Sequence, residues 1–176
     1  MSERETIEKI KGKQGIFSKI QNFFTLGYGT KEDLRELDRK LRDLYYIELR
    51  DMRHVWEDLY LAAMDAGVAQ SRNYKKVIQV LDRITEKVRH ADYGYAGLWD
   101  RKGHMRENEL AHVFNFDRDL GAEIDNLKTG VNKVQNEVEA ENWEELSNEV
   151  KNVKNLLLAF EDKWNEREKE FRPLEL

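Results

Sequence analysis

Two carboxylate–imidazole pairs have the spacing best suited to chemistry in this chain: Asp51-Met-Arg-His54 and Glu109-Leu-Ala-His112. On a helix, residues three apart lie on neighbouring turns of one face. Helical bundles use Glu-x-x-His pairs, joined by single carboxylates from other helices, to hold two metal ions. Asp51, His54, Glu109 and His112 are therefore the candidate metal ligands, and a di-iron-like four-helix-bundle enzyme is the alternative functional reading. Three considerations count against it. The chain holds 35 acidic residues, so an acid three positions before a histidine carries little information. At about 100° per residue, His54 points nearly opposite the Met52/Val55/Leu59 line, and His112 points away from Leu110/Asp117/Ile124. Stacking the expected helices by length sets the two pairs roughly 15 Å apart along the bundle, whereas ligation tolerates only about 2 Å per bond. No cofactor is expected.

Other reaction centres find no support. There is no Gly-rich phosphate loop, no Gly-x-Ser-x-Gly elbow and no His-Glu-x-x-His helix. The lone Glu-x-x-Asp, Glu48-Leu-Arg-Asp51, is preceded only by Glu5-x-x-Glu8, which does not fit an all-α nucleotide pyrophosphatase. The chain has no cysteine, which removes disulfides, thiolate metal sites and a Cys nucleophile. Two acids, Glu48 and Asp117, fall on apolar helix faces. A carboxylate there needs a cation or hydrogen-bond donors, so each is expected to pair with a lysine or arginine. Tyr93, Tyr95 and Trp99, beside Arg101 and Lys102, could stack a ligand at one bundle end; the expectation is instead that Tyr95 and Leu98 pack in the helix seam while Trp99 covers the end of the core.

The elements that position these residues are long helices. The only proline is Pro173, so glycine and turn residues alone punctuate the chain. Thr30-Lys-Glu-Asp reads as a helix start. Leu34, Leu37, Leu41, Tyr45, Met52, Val55, Leu59 and Ala62 then recur at 3/4 spacing towards Gly67, predicting a helix of about 37 residues. Ser71 or Asn73 caps a second, with Val77, Leu81, Ile84, Val88, Ala91, Tyr95 and Leu98 running through Gly94 and Gly97. The turn Asp100–Gly103 leads to a third, carrying Leu110, Val113, Leu120, Ile124, Leu127, Val131, Val134 and Val138. Asn142 before Trp143-Glu144-Glu145 starts a fourth, with Leu146, Val150, Val153, Leu157, Phe160 and Trp164. Short connections between long helices favour an antiparallel up-down four-helix bundle over residues 30–176. Ile47, His54 and Leu61, with Tyr46 and Met64 nearby, give the first helix a second apolar face, as a helix with two sets of neighbours has.

Charge divides the chain. The formal net charge is −5: residues 1–8 carry −2 and residues 9–31 carry +5, which leaves −8 for residues 32–176. No acid interrupts residues 9–31, where Lys9, Lys11, Lys13 and Lys19 accompany Ile16, Phe17, Ile20, Phe23 and Phe24. Ile16, Ile20, Phe23 and Phe24 share one helical face, bracketed by Gly12/Gly15 and Gly27/Gly29. An apolar stripe flanked by lysines is the make-up of a helix lying in a membrane interface. Segment 1–29 is thus expected to be an extra N-terminal amphipathic helix, with those nine lysine and apolar residues as the partner- or membrane-binding set. Gly-Ile-Phe-Ser-Lys-Ile (Gly15–Ile20) resembles the N-terminal membrane helix of phage-shock-type remodelling proteins. The likeness covers six residues, and those proteins have one dominant hairpin where four comparable helices are expected here. Docking of Phe23 and Phe24 on the first helix's second face is the competing expectation.

These observations predict an all-α, non-enzymatic interaction or scaffold protein that binds a partner protein or an anionic membrane surface through its N-terminal segment, with self-association through the first helix's second face as a further expectation. An acidic body repels phosphate backbones, so no nucleic acid is expected. Without a secretory leader or an apolar run of membrane-spanning length, a cytoplasmic location is expected.

Overall fold

The computed structural model describes residues 31–68, 72–91 and 107–171, with side chains over 39–68, 72–91 and 115–169. The described residues form four helices and no strand: α1 (Lys31–Asp65), α2 (Arg72–Arg89), α3 (Glu107–Glu139) and α4 (Trp143–Phe171). The chain is therefore all-α.

Two of the helix ends are closed in the same way. After α1, Val68 N–H donates to the Ala63 carbonyl (3.0 Å) and Gly67 N–H to the Met64 carbonyl (2.9 Å), with Gly67 at φ 71°. This pair of bonds satisfies carbonyls that a helix end leaves without a partner, and it requires a left-handed residue. After α3, Asn142 N–H donates to Glu137 O (2.9 Å) and Glu141 N–H to Val138 O (3.1 Å). Here Glu141 takes the left-handed position, at φ 55°, a conformation that costs a side-chain-bearing residue more than glycine. Asn142 then leads directly into α4.

Helices α1 and α4 each pack against both α2 and α3. Aromatic rings fill the α1–α4 diagonal: Tyr45 meets Phe160 and Trp164 edge-on, at centroid distances of 6.3 and 6.4 Å. Along α1 and α2, Arg42 meets Ala91, Arg53 meets Asp82 and Trp56 meets Tyr74. Along α3 and α4, Asp117 meets Arg167, Glu123 meets Lys163 and Lys133 meets Glu149. In both pairs the partner's number falls as the first helix's number rises. Gly130 marks the closest approach of α3 and α4, since a Cβ there would lie 3.2 Å from Leu156 and 3.3 Å from Val153.

The α4 line from Leu146 to Trp164 is buried as its spacing requires, as is the α3 line from Leu120 to Val134. Two expectations need correction. On α1, Val55 and Ala62 are only half-buried, while Leu49, Trp56 and Ala63 are buried. Because α1 packs on two helices, its buried face is wider than one 3/4 line. The Trp56 indole also has a partner inside, donating to the Tyr74 carbonyl at 3.2 Å. Helix α2 stops at Arg89, well short of Leu98. Its last turn carries Lys87 and Arg89, the charge a helix C-terminus favours, and the Arg42 guanidinium donates to the Ala91 carbonyl just beyond. Gly94, Gly97, Tyr93, Tyr95, Trp99 and the Asp100–Gly103 turn lie outside the described residues. The Leu34, Leu37, Leu110 and Val113 side chains do so as well.

One buried ion pair crosses this core. Arg167 Nε donates to Asp117 Oδ1 at 2.8 Å, and both side chains are 1% exposed. Tyr45 Oη donates to the Asp117 carbonyl at 2.9 Å, tying α1 to the same point. The Arg167 guanidinium also lies over the Trp164 ring, 5.1 Å from its centroid. Removing one member strands a charge in a low-dielectric site. Asp117→Ala is therefore expected to lower unfolding stability by about 3–5 kcal/mol, with Asp117→Leu/Arg167→Met recovering most of the loss. Urea denaturation of the three proteins checks this; a loss below about 1 kcal/mol for Asp117→Ala would contradict it.

Candidate functional site

The buried acids already have partners. Glu48 on α1 pairs with Lys128 on α3, and Asp117 on α3 with Arg167 on α4, as the need to compensate a charge on an apolar face requires. Glu161 is a third buried acid, one that the apolar spacing did not single out. Its carboxylate takes bonds from Arg83 Nη2 (2.6 Å), Arg83 Nε (2.9 Å) and Lys87 Nζ (2.7 Å), which ties α2 to α4. The Arg83 hydrogen bonds, then Lys87, hold the Glu161 carboxyl below the usual carboxylate range, against the opposing effect of burial. Burial, then the Asp117 charge, pushes the Tyr45 hydroxyl well above the usual phenol range. Burial alone pushes Tyr74 up to about 12. These groups hold helices together; a general acid or metal ligand must instead aim a lone pair or proton at a reactant.

The candidate metal ligands are not brought together. His54 is exposed on α1 and Asp51, half-buried, bonds to Arg50 at 3.2 Å. Glu109 and His112 fall in α3, but their side chains lie outside the described residues. Among the described residues, no three His, Asp or Glu side chains gather as a metal site.

The interaction surfaces are clearer. Lys9, Lys11, Lys13, Ile16, Phe17, Lys19, Ile20, Phe23 and Phe24 lie outside the described residues. On α1, Ile47, Leu61 and Met64 are 40%, 54% and 48% exposed. His54 lies on the same outward stripe, with Asp51, Asp58 and Asp65 interleaved at 3/4 spacing. The apolar residues of the second face of α1 are thus uncovered among the described residues. Apolar spacing does not single out the cations Arg72 and Lys76 on α2 or Lys151 and Lys154 on α4, of which Lys154 is half-buried and the other three are exposed. A signal was present: the first turn of α2 has no acidic residue, although acids are what a helix N-terminus favours.

No described helix is long and apolar enough to cross a membrane. Compared with known proteins, the chain matches no family model, no curated protein and no solved structure.

The Glu161 cluster gives a pH prediction. A carboxyl whose folded-state pKa is depressed stabilises the fold above its unfolded value, and that contribution is lost as pH falls through the folded value. Glu161→Gln is therefore expected to cost about 1 kcal/mol at neutral pH, discounted because Arg83 is half-exposed. The gap from wild type should close as pH drops below the ordinary carboxylate range. Melting curves across acidic to neutral pH measure it; a gap that widens on acidification contradicts the assignment.

Proposed function

We propose that this is a non-enzymatic interaction or scaffold protein that engages an anionic membrane surface or a partner protein through residues 9–31. The observation that carries the reading is the charge division: +5 without an acid over residues 9–31, ahead of −8 over residues 32–176. Each lysine near an anionic surface contributes about 1 kcal/mol, and Phe17, Ile20, Phe23 and Phe24 add apolar burial. In this reading the body is an antiparallel up-down four-helix bundle in the cytoplasm, with residues 1–29 contributing an extra amphipathic helix. The falling partner numbers along α1/α2 and α3/α4 support antiparallel packing within those two pairs, while the numbers rise together along α1/α3 (Tyr45–Asp117, Glu48–Lys128) and α2/α4 (Arg83–Glu161, Lys87–Asn165), as parallel neighbours do. The exposed Ile47, Leu61 and Met64 on α1 support a protein partner or self-association as a further contact.

The full chain is expected to co-sediment with phosphatidylserine-containing vesicles and to release as salt rises, because exposed charges are screened. Phe17→Asp/Phe23→Asp should abolish sedimentation while leaving the melting temperature unchanged. A wild-type protein that fails to bind vesicles at low salt overturns the membrane arm. A mass in solution that stays monomeric across concentration overturns self-association.

A further inference from the structure

The outward groove between α2 and α4 has two halves of different charge. In one half, Glu161 of α4 sits between Arg83 and Lys87 of α2, with Lys87 also donating to Asn165 at 3.2 Å. Seven residues make nearly two helical turns, so Lys76 occupies the stripe of Arg83, and Lys154 the stripe of Glu161. One level of the groove sets a carboxylate against a cation; by the same spacing, the level two turns away carries a lysine on each stripe. Arg72 extends the α2 stripe by one turn and Lys151 extends the α4 stripe. No acid occurs over residues 72–81 or 150–160. Arg72, Lys76, Lys151 and Lys154 form no ion pair or side-chain hydrogen bond among the described residues.

Like charges facing across two helices lower stability, and an acidic residue at 154 would relieve that in the way Glu161 does. Where local stability is given up, binding is the usual reason. At the N-terminal turns of α2 and α4 opens a cleft of about 70 Å³ walled by Tyr74 and Trp143. Asn73 and Ser147 supply its polar edge, and Leu146 and Val150 line its apolar side. That is room for one small apolar side chain.

We infer that this groove docks an acidic segment of a partner protein, with carboxylates between Lys76 and Lys154 and a neighbouring apolar side chain in the Tyr74/Trp143 cleft. The Glu161 cluster is the internal template for the chemistry, since there α2 cations hold a carboxylate at 2.6–2.9 Å. The cationic run is short, about 6 Å from Arg72 to Lys76 and about 4.5 Å from Lys151 to Lys154 at 1.5 Å per residue. A short acidic segment fits that run, whereas a long phosphate polymer would continue onto the acidic body. The surface uses none of residues 9–31, so the inference does not rest on the membrane reading.

The test uses the full chain and a fluorescein-labelled peptide of repeated Glu-Glu-Leu, with Gln-Gln-Leu as its uncharged control. Wild type should bind the acidic peptide saturably and the control at least tenfold more weakly. Lys76→Glu/Lys154→Glu should lose at least tenfold in affinity, while Lys75→Glu, off the groove stripe, and Phe17→Asp/Phe23→Asp should bind as wild type. Without any peptide, Lys154→Glu should raise the melting temperature by about 1–3 °C, because it supplies the missing carboxylate opposite Lys76. Absence of peptide binding, equal binding of the control, or undiminished binding by the double variant overturns the proposal. So does groove-dependent binding to phosphatidylserine vesicles in place of the peptide. A lower melting temperature for Lys154→Glu would mean that the two lysines do not face each other.

Discussion

The Asp117–Arg167 pair is the constraint around which the fold is organised. A carboxylate and a guanidinium, both 1% exposed, are stable in an apolar interior only where their geometry is held closely. Their bond fixes α3 against α4, the Tyr45 hydroxyl brings α1 to the same carbonyl region, and Trp164 lies beneath the guanidinium. Sliding either helix by one residue would separate the pair and leave both charges buried. Apolar packing at 3/4 spacing penalises such a slip less, because neighbouring aliphatic side chains can substitute for one another. Buried polar groups of this kind specify register more than they add stability.

The same logic repeats at the other contacts. Glu48–Lys128 joins α1 to α3, Arg53–Asp82 joins α1 to α2, and Glu161 joins α2 to α4. Each helix pair in contact thus has at least one ionic cross-link whose position sets its register. On the α2/α4 face the proposed docking groove follows the stripes of the Glu161 cluster towards the N-terminal turns of both helices.

Much of the scaffold was legible in sequence, for a physical reason. Leu146, Val150, Val153, Leu157, Phe160 and Trp164 repeat with the helix period, and all are buried. The need of Glu48 and Asp117 for cations followed from where they fall on that period. Trp56 was not legible, because a helix with two neighbours buries a face wider than one stripe. The end of α2 was not legible either, because the apolar spacing continues past Arg89 to Leu98. Partner identities were hidden for a different reason. Arg83 and Glu161 are distant in sequence, and only the packing of α2 on α4 makes them neighbours. The N-terminal set from Lys9 to Phe24 was legible as charge and periodicity, which is where its support still rests.

The central claim is that a charge-locked bundle displays its binding functions on its surface and at its N-terminal segment, without changing its core. Amide hydrogen exchange of the full chain, with and without phosphatidylserine vesicles, tests this most directly. The account predicts that vesicles slow exchange within residues 9–31 and leave the amides around Asp117, Tyr45 and Arg167 unchanged. Faster exchange around those core residues, or no change within residues 9–31, would contradict it.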